Sequence, residues 1–157
     1  MEITKDTVNE ALPTALQVLL SKGIKQNSRN GEVLAAPAPT TITYLNPCKR
    51  VLFNKERDAN PFFHLMESMW MLAGRNDVEF PAMFAKNIRN YSDDGKTFYG
   101  AYGYRWRKQF ACGDQLSIIA DKLRKNPDDR QVVLAMWNVS DTLTITKDTP
   151  CNTHAYF

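Results

Sequence analysis

The sequence predicts a mixed fold of helices and strands, of α+β or α/β class. Apolar residues recur at helical spacing in three separate stretches, and β-branched runs bounded by Pro, Gly and Asn lie between them. No internal repeat, linker or low-complexity stretch interrupts the 157 residues, which bounds the chain to one domain or part of one.

The first helix is expected over residues 9–22, with Leu12, Leu16, Leu19 and Leu20 at helical spacing. Asn9 is placed to cap it, Pro13 falls in its first turn where a missing N–H costs nothing, and Gly23 closes it. Gln26-Asn-Ser-Arg-Asn-Gly31 reads as a tight loop with one cation, Arg29. From spacing alone Arg29 is a solvated surface arginine; the functional alternative is a grip on a phosphate. Residues 32–53 read as strands broken by Pro37, Pro39 and Pro47, one over residues 40–45 and a shorter one over 50–53. Residues 54–58 are charged and expected at the surface.

Asn60-Pro61 starts a second helix, which runs to Ala73 and stops at Gly74. It is apolar nearly all round and should be a core helix. Glu67 in its middle is anomalous. A carboxylate flanked by Phe63, Met66, Trp70 and Met71 must be paired, or have a raised pKa that suits proton transfer. The bland alternative is a narrow exposed stripe around Glu67. A shorter helix is expected to include residues 79–87, followed by a loop around Asp93-Asp-Gly95. Tyr99-Gly-Ala-Tyr-Gly-Tyr-Arg-Trp-Arg107 then interleaves aromatics, glycines and cations. Such a run can stack on bases, but a nucleic-acid surface needs many more cations, so a pocket wall fits better. Residues 114–125 form an amphipathic helix with Leu116, Ile119 and Leu123 on one face.

The last stretch draws the rest together. Gln131-Val-Val-Leu-Ala-Met-Trp-Asn-Val139 reads as a buried strand, and Asp148-Thr-Pro-Cys-Asn-Thr-His-Ala-Tyr-Phe157 sets a cysteine directly behind a proline. Pro150 restricts the backbone on both sides of itself, which suits a residue that must be held in one place. Cys151 is therefore the candidate nucleophile, presented at the mouth of a strand. The apolar-aromatic run after it implies that the protein continues beyond Phe157.

Composition narrows the function. With 43% hydrophobic and 24% charged residues the chain reads as a globular protein, with no apolar run of membrane-spanning length and no secretory pattern, so a cytoplasmic location is the default. The net charge of +3 is modest and scattered, which argues against a nucleic-acid partner and fits a small anionic substrate held by a few arginines. Cys48, Cys112 and Cys151, with only His64 and His154 beside them, match no zinc spacing. An unselected cysteine of this kind is expected to be a buried thiol.

Several pieces now line up in order: Glu67-Ser-Met-Trp-Met-Leu-Ala-Gly74, Tyr102-Gly-Tyr-Arg-Trp-Arg107, Asp114-Gln115, Asn126-Pro-Asp-Asp-Arg130, Ala135-Met-Trp-Asn-Val139 and Pro150-Cys151. Through them the chain resembles the thymidylate synthase and deoxypyrimidine hydroxymethylase family from about Ala11 onward. The resemblance implies an α+β fold, a mixed or antiparallel sheet packed with helices. Residues 1–157 would be the N-terminal part of one such domain, incomplete at the C-terminus. It also implies a mechanism. The Cys151 thiolate adds to C6 of a pyrimidine deoxynucleoside monophosphate, and C5 then attacks the one-carbon unit of 5,10-methylenetetrahydrofolate. Glu67 would organise water and assist proton transfer, and Tyr102 would lie near the reacting carbon. Arg29 and Arg130 would hold the phosphate, which reverses the spacing-only reading of Arg29. The family pattern is a homodimer in which the arginine at the Arg130 position reaches the partner's site.

Four departures from that pattern matter. Gln131 stands where a second arginine is usual, and Asn152 where synthases have histidine. His154 would point away from Cys151 if both lay in one strand, which argues against a Cys–His dyad. No tryptophan lies between Trp70 and Trp106, where synthases shield the intermediate until hydride arrives; Phe84 or Tyr91 could substitute. The family's second half, with the residue that reads the base (Asn for uracil, Asp for cytosine), is absent, so this chain alone is expected to be inactive. Three readings follow. Reductive methylation of dUMP to dTMP stands first, hydroxymethylation of dCMP or dUMP second. The third is a non-catalytic half that binds a partner.

Overall fold

Strands in the first sixty residues come from short β-branched or alternating runs, and the computed structural model, which describes residues 1–28 and 31–157, places each of them in a two-stranded pair. The chain forms two units, Met1–Asn60 and Pro61–Phe157. In the first, β1 (Glu2–Lys5) runs parallel to β4 (Thr41–Tyr44), with Ile3 opposite Ile42. Between them in sequence come α1 (Val8–Lys22) and an antiparallel hairpin of β2 (Ile24–Ser28) and β3 (Gly31–Ala35).

Several expectations for this unit are corrected. The segment read as a loop from Gln26 is mostly strand, because Gln26 pairs with Val33 and Ser28 with Gly31. Helix α1 starts one residue before Asn9, after an extended Thr7, so Asn9 is not its cap and Pro13 lies in its interior. Asn9 is used differently. Its side-chain amide donates to Val51 O at 2.9 Å and its carbonyl accepts from Phe53 N at 2.7 Å. An Asn amide offers a donor and an acceptor side by side, as an extended backbone does. Residues 51–53 are thus tied to a side chain and do not form the expected strand.

In the second unit, α2 (Pro61–Leu72) starts and stops where the sequence predicts, but it is not a core helix. Trp70 is buried, while Phe62, Leu65, Met69 and Leu72 are each more than half exposed, at 71%, 56%, 55% and 57%. Apolar composition records what a helix can bury, and only the surrounding chain decides what is covered. The expected helix over residues 79–87 is broken into α3 (Glu79–Ala82) and a 3₁₀ turn at Lys86–Tyr91. The aromatic-glycine run forms α4 (Tyr102–Tyr104), which widens into a π-type turn over Arg105–Gln109. Helix α5 (Gln115–Lys125) has Asp114 as its cap, accepting from Ser117 N.

Strand β5 (Val133–Ala135) pairs antiparallel with β6 (His154–Tyr156), Leu134 opposite Ala155. The strand expected to be buried is buried on one face. Val132, Leu134 and Met136 are buried against Ile119, Leu116 and Leu123 of α5, and Val133 is 46% exposed. A second cluster joins Trp70, Val78, Ala82, Phe98 and Ala101. The two are bridged by α4, whose Gly103 lets backbone meet backbone. A Cβ there would lie 2.0 Å from Met71 O of α2, so no side chain fits.

Arg105 is completely buried in this unit, and its guanidinium meets Asp141 at 2.7 Å. It also donates to Met136 O at 2.9 Å and to Tyr99 O at 3.1 Å. Asp141 in turn accepts from Tyr99 Oη at 2.6 Å and Asn138 N at 2.7 Å. Burial pushes the Asp141 carboxyl up, but the hydrogen bonds from Arg105, Tyr99 and Asn138 outweigh it and hold the pKa down at about 2. A depressed carboxylate adds stability that is complete above its unfolded value near 3.8 and fades as pH falls toward 2. Asp141→Ala strands a buried guanidinium and should cost about 3–5 kcal/mol in denaturant unfolding. The variant should also lose the part of the wild-type acid dependence that lies between about pH 4 and pH 2.

Candidate active site

Helix α2 and the aromatic-glycine run meet around a cavity of about 170 Å³, whose walls include Glu67, Trp70, Tyr91, Phe98, Tyr102 and Asp148. That is less than the roughly 300–1,000 Å³ typical of a small-molecule pocket. Apolar groups make most of the wall, and two carboxylates face into it. Burial pushes the Glu67 carboxyl up, partly offset by the nearby His64. Burial likewise pushes Asp148 up, against the opposing pull of the Gly100 N–H and the Arg105 guanidinium, while the Asp93 charge adds to the rise.

Asp148 reaches the cavity because of glycine. Its Oδ2 accepts from Gly100 N at 2.8 Å, and a Cβ on Gly100 would meet Asp148 O at 2.5 Å. The segment leading to it is fixed from the other side: Asp93 accepts from Thr146 Oγ1 and, at 3.1 Å, from Lys147 N. Sequence reasoning passed over Asp148. It sits in a polar excursion of Ser, Thr and Asp with no periodicity, and only the contact with Gly100 reveals its place.

Tyr102 joins the cavity to the candidate nucleophile. Its hydroxyl oxygen accepts from Cys151 N at 2.8 Å and from Asn152 N at 3.0 Å. Pro150 is buried directly before Cys151, which is itself exposed. The backbone of Cys151 is thus held by a proline on one side and a tyrosine hydroxyl from α4 on the other. Cys48 and Cys112 are exposed too, against the expectation of buried thiols. Cys151 precedes β6 and is not part of it, so the strand-parity argument about His154 does not apply. His154 Nδ1 lies 2.9 Å from Thr153 Oγ1, and Cys151 Sγ is 3.9 Å from Thr149 O.

Of the remaining candidates, Arg29 lies outside the described residues. Arg130 is exposed, and its carbonyl accepts from Tyr156 Oη. Tyr156 pairs with Val133 and His154 with Ala135, so Arg130 and Cys151 lie off opposite ends of the β5–β6 ladder. Tyr102 therefore lines the cavity with Glu67 and holds the backbone of Cys151, which is not among the residues lining that cavity, and Arg130 is set apart. Arg105 and Arg107 are both committed to ion pairs, the second with Asp114 at 2.6 Å. Of the two aromatics considered as a substitute for the missing tryptophan, Tyr91 lines the cavity, whereas Phe84 packs edge-on against Phe80. Among the described residues no group of three His, Cys, Asp or Glu side chains gathers as a metal site requires, and no helix is long and apolar enough to cross a membrane.

The sequence model of the thymidylate synthase family matches residues 14–157. A protein of Pseudomonas phage M6 named deoxyuridylate hydroxymethyltransferase is 56% identical over 151 residues, which is 96% of this chain and 43% of the relative. A Bacillus phage SP01 protein of the same name is 37% identical over 161 residues, 93% of this chain and 42% of the relative. The chain thus spans less than half the length of these curated relatives.

Two outcomes follow from the geometry. Tyr102→Phe removes the shared acceptor while keeping the ring. Amide exchange at Cys151 and Asn152 should quicken about fivefold, for a loss of about 1 kcal/mol. A carboxylate raised by burial acts on stability with the sign opposite to Asp141. Its contribution is complete below the unfolded value and is lost as pH rises through the folded one. Glu67→Gln should therefore leave the melting temperature near pH 4 almost unchanged and raise it at pH 7, as scanning calorimetry at both pH values can show.

Proposed function

The chain belongs to the thymidylate synthase family, and from that premise we propose that it is the nucleophile-bearing part of a deoxyuridylate hydroxymethyltransferase. The observation that carries the proposal is the Tyr102 hydroxyl, which lines the cavity beside Glu67 and holds the backbone of Cys151. The names of the two phage relatives favour hydroxymethylation over the reductive methylation that the sequence put first. The absence of a tryptophan between Trp70 and Trp106 points the same way, although Tyr91 puts an aromatic ring on the cavity wall.

In this reading the Cys151 thiolate adds to C6 of dUMP, forming an S–C6 bond and making C5 a carbon nucleophile. The aromatic and apolar wall of Trp70, Tyr91 and Phe98 suits the flat ring systems of a pyrimidine and a reduced pterin. When bound, 5,10-methylenetetrahydrofolate supplies a one-carbon unit at the oxidation level of formaldehyde. Glu67, half-buried and with its proton affinity raised by burial, orders water at the base and passes protons to and from the pyrimidine carbonyl. Tyr102 fixes the nucleophile's backbone, so that the sulfur is aimed before substrate arrives. Arg29 and Arg130 hold the phosphate. Arg130 does so in the second subunit of a homodimer, in keeping with its place at the far end of the ladder from Cys151. The protein acts in the cytoplasm of its host.

The test uses the longest natural chain that contains this sequence. With 5-fluoro-dUMP and methylenetetrahydrofolate, intact mass should show a covalent ternary adduct on Cys151, absent in Cys151→Ala. With dUMP, the product should be 5-hydroxymethyl-dUMP without dihydrofolate. Formation of dTMP with dihydrofolate would identify a synthase. No adduct with the uracil analogue would leave either a cytosine substrate, shown by capture of 5-fluoro-dCMP, or a non-catalytic half.

A further inference from the structure

Hydroxymethyl transfer needs something that methyl transfer must keep out, a water molecule delivered to the one-carbon unit after it has joined C5. The cavity holds a carboxylate that the chemistry of C6 addition leaves unused. Asp148 lies three residues before Cys151 and lines the cavity together with Tyr102 and with Glu67 of α2. One of its oxygens, Oδ2, is taken by Gly100 N at 2.8 Å, so the carboxylate is fixed in orientation. Its approach is built into the fold, because only glycine at position 100 lets the backbone of Asp148 come so close. A charged side chain in a mostly apolar wall, with no ion-pair partner among the described residues, needs a chemical reason.

We propose that Asp148 is the general base that receives the proton of the attacking water in hydroxymethyl transfer, while Glu67 serves the pyrimidine ring. This rests on the hydroxymethyltransferase reading above. In the step itself the one-carbon unit has become an exocyclic methylene on C5, and Cys151 is still bonded to C6. The water oxygen bonds to the methylene carbon as one water proton passes to Asp148. The methylene π pair moves into the ring, and the C6–S bond breaks with its pair returning to Cys151 sulfur as C5=C6 forms. The gain of a C–O bond at the methylene carbon is balanced by the loss of the C–S bond at C6, so the step is redox-neutral and no hydride donor is consumed. The proton leaves Asp148 to solvent through the cavity mouth.

The surroundings of Asp148 suit the task. Burial and the Asp93 charge raise its proton affinity, and the Gly100 N–H and the Arg105 guanidinium oppose them. Glu67, Tyr91 and Tyr102 are the other titratable groups on the cavity wall, and His64 acts on Glu67. A carboxylate whose proton affinity is raised is a stronger base than an ordinary surface aspartate.

The experiment compares wild type with Asp148→Asn and Asp148→Glu in the longest natural chain. Three readouts, each followed over a single turnover with enzyme in excess, separate the steps: adduct formation with 5-fluoro-dUMP, tritium release from [5-³H]dUMP, and 5-hydroxymethyl-dUMP formed. Asp148→Asn keeps a carbonyl for Gly100 N–H, and the adduct shows that it is folded. We expect its adduct formation and tritium release to stay within about threefold of wild type, while product formation falls by about 10²-fold or more, as for loss of a general base. Asp148→Glu should restore part of the product. Product formation unchanged in Asp148→Asn, or lost only in parallel with tritium release, overturns the assignment to Asp148 alone. Wild type that makes dTMP and dihydrofolate overturns the hydroxymethyltransferase reading, and the role of Asp148 with it.

Discussion

The buried Arg105–Asp141 pair is the constraint on which the second unit depends. Its guanidinium reads out three separate stretches of chain: the carbonyl of Tyr99, that of Met136 past the end of β5, and the turn that starts at Asn138. Two charges out of water are tolerated only when every donor finds a partner, and here Tyr99 Oη and Asn138 N complete the set on the carboxylate. Gln115 extends the network. Its amide donates to Arg105 O and Ala135 O, at 3.1 and 3.0 Å, and its carbonyl accepts from Ala135 N at 2.9 Å. Position, and not simply stability, is what such a network confers. Buried polar groups with fixed directions leave one arrangement of α4, β5 and the 138–143 turn.

The chemistry hangs from that arrangement. Tyr99 and Tyr102 flank Gly100, and Tyr102 lies one residue before the glycine that allows α4 to touch α2. The same few residues therefore set the cavity wall, orient Asp148 and hold the backbone of Cys151. Glu67, which also lines the cavity, is placed by α2, packed through Trp70. A side chain on an extended segment is mobile by default; here a buried proline and a tyrosine hydroxyl restrain the backbone of Cys151, which suits the nucleophilic role proposed for it.

The two carboxylates of the cavity and the one in the buried pair show how environment assigns roles to identical groups. Asp141 meets a cation and two further hydrogen-bond donors, Tyr99 Oη and Asn138 N, and is held ionised. Glu67 and Asp148 meet apolar walls and few donors, and are pushed the other way. The first is structural and the latter two suit proton transfer. Composition gives no hint of this division. It follows from which side chains surround each carboxyl.

By itself the sequence determined the family, the start and stop of α2 and α5, and the candidates Cys151, Glu67 and Tyr102, because these are local or ordered signals: Asn60-Pro61, Asp114 ahead of an amphipathic run, and motifs in fixed succession. Only the tertiary structure decided the rest. Asn9 looks like a cap until its amide is seen on Val51 and Phe53, forty-two and forty-four residues away. Asp148 has no local signature, and Gly100, its partner, lies forty-eight residues before it. The apolar face of α2 reads as core, yet stays exposed, because burial belongs to the neighbours and not to the helix. Periodicity and capping act within a few residues and can be read from sequence. Close approach, desolvation and hydrogen bonds between distant segments exist only once the chain has folded.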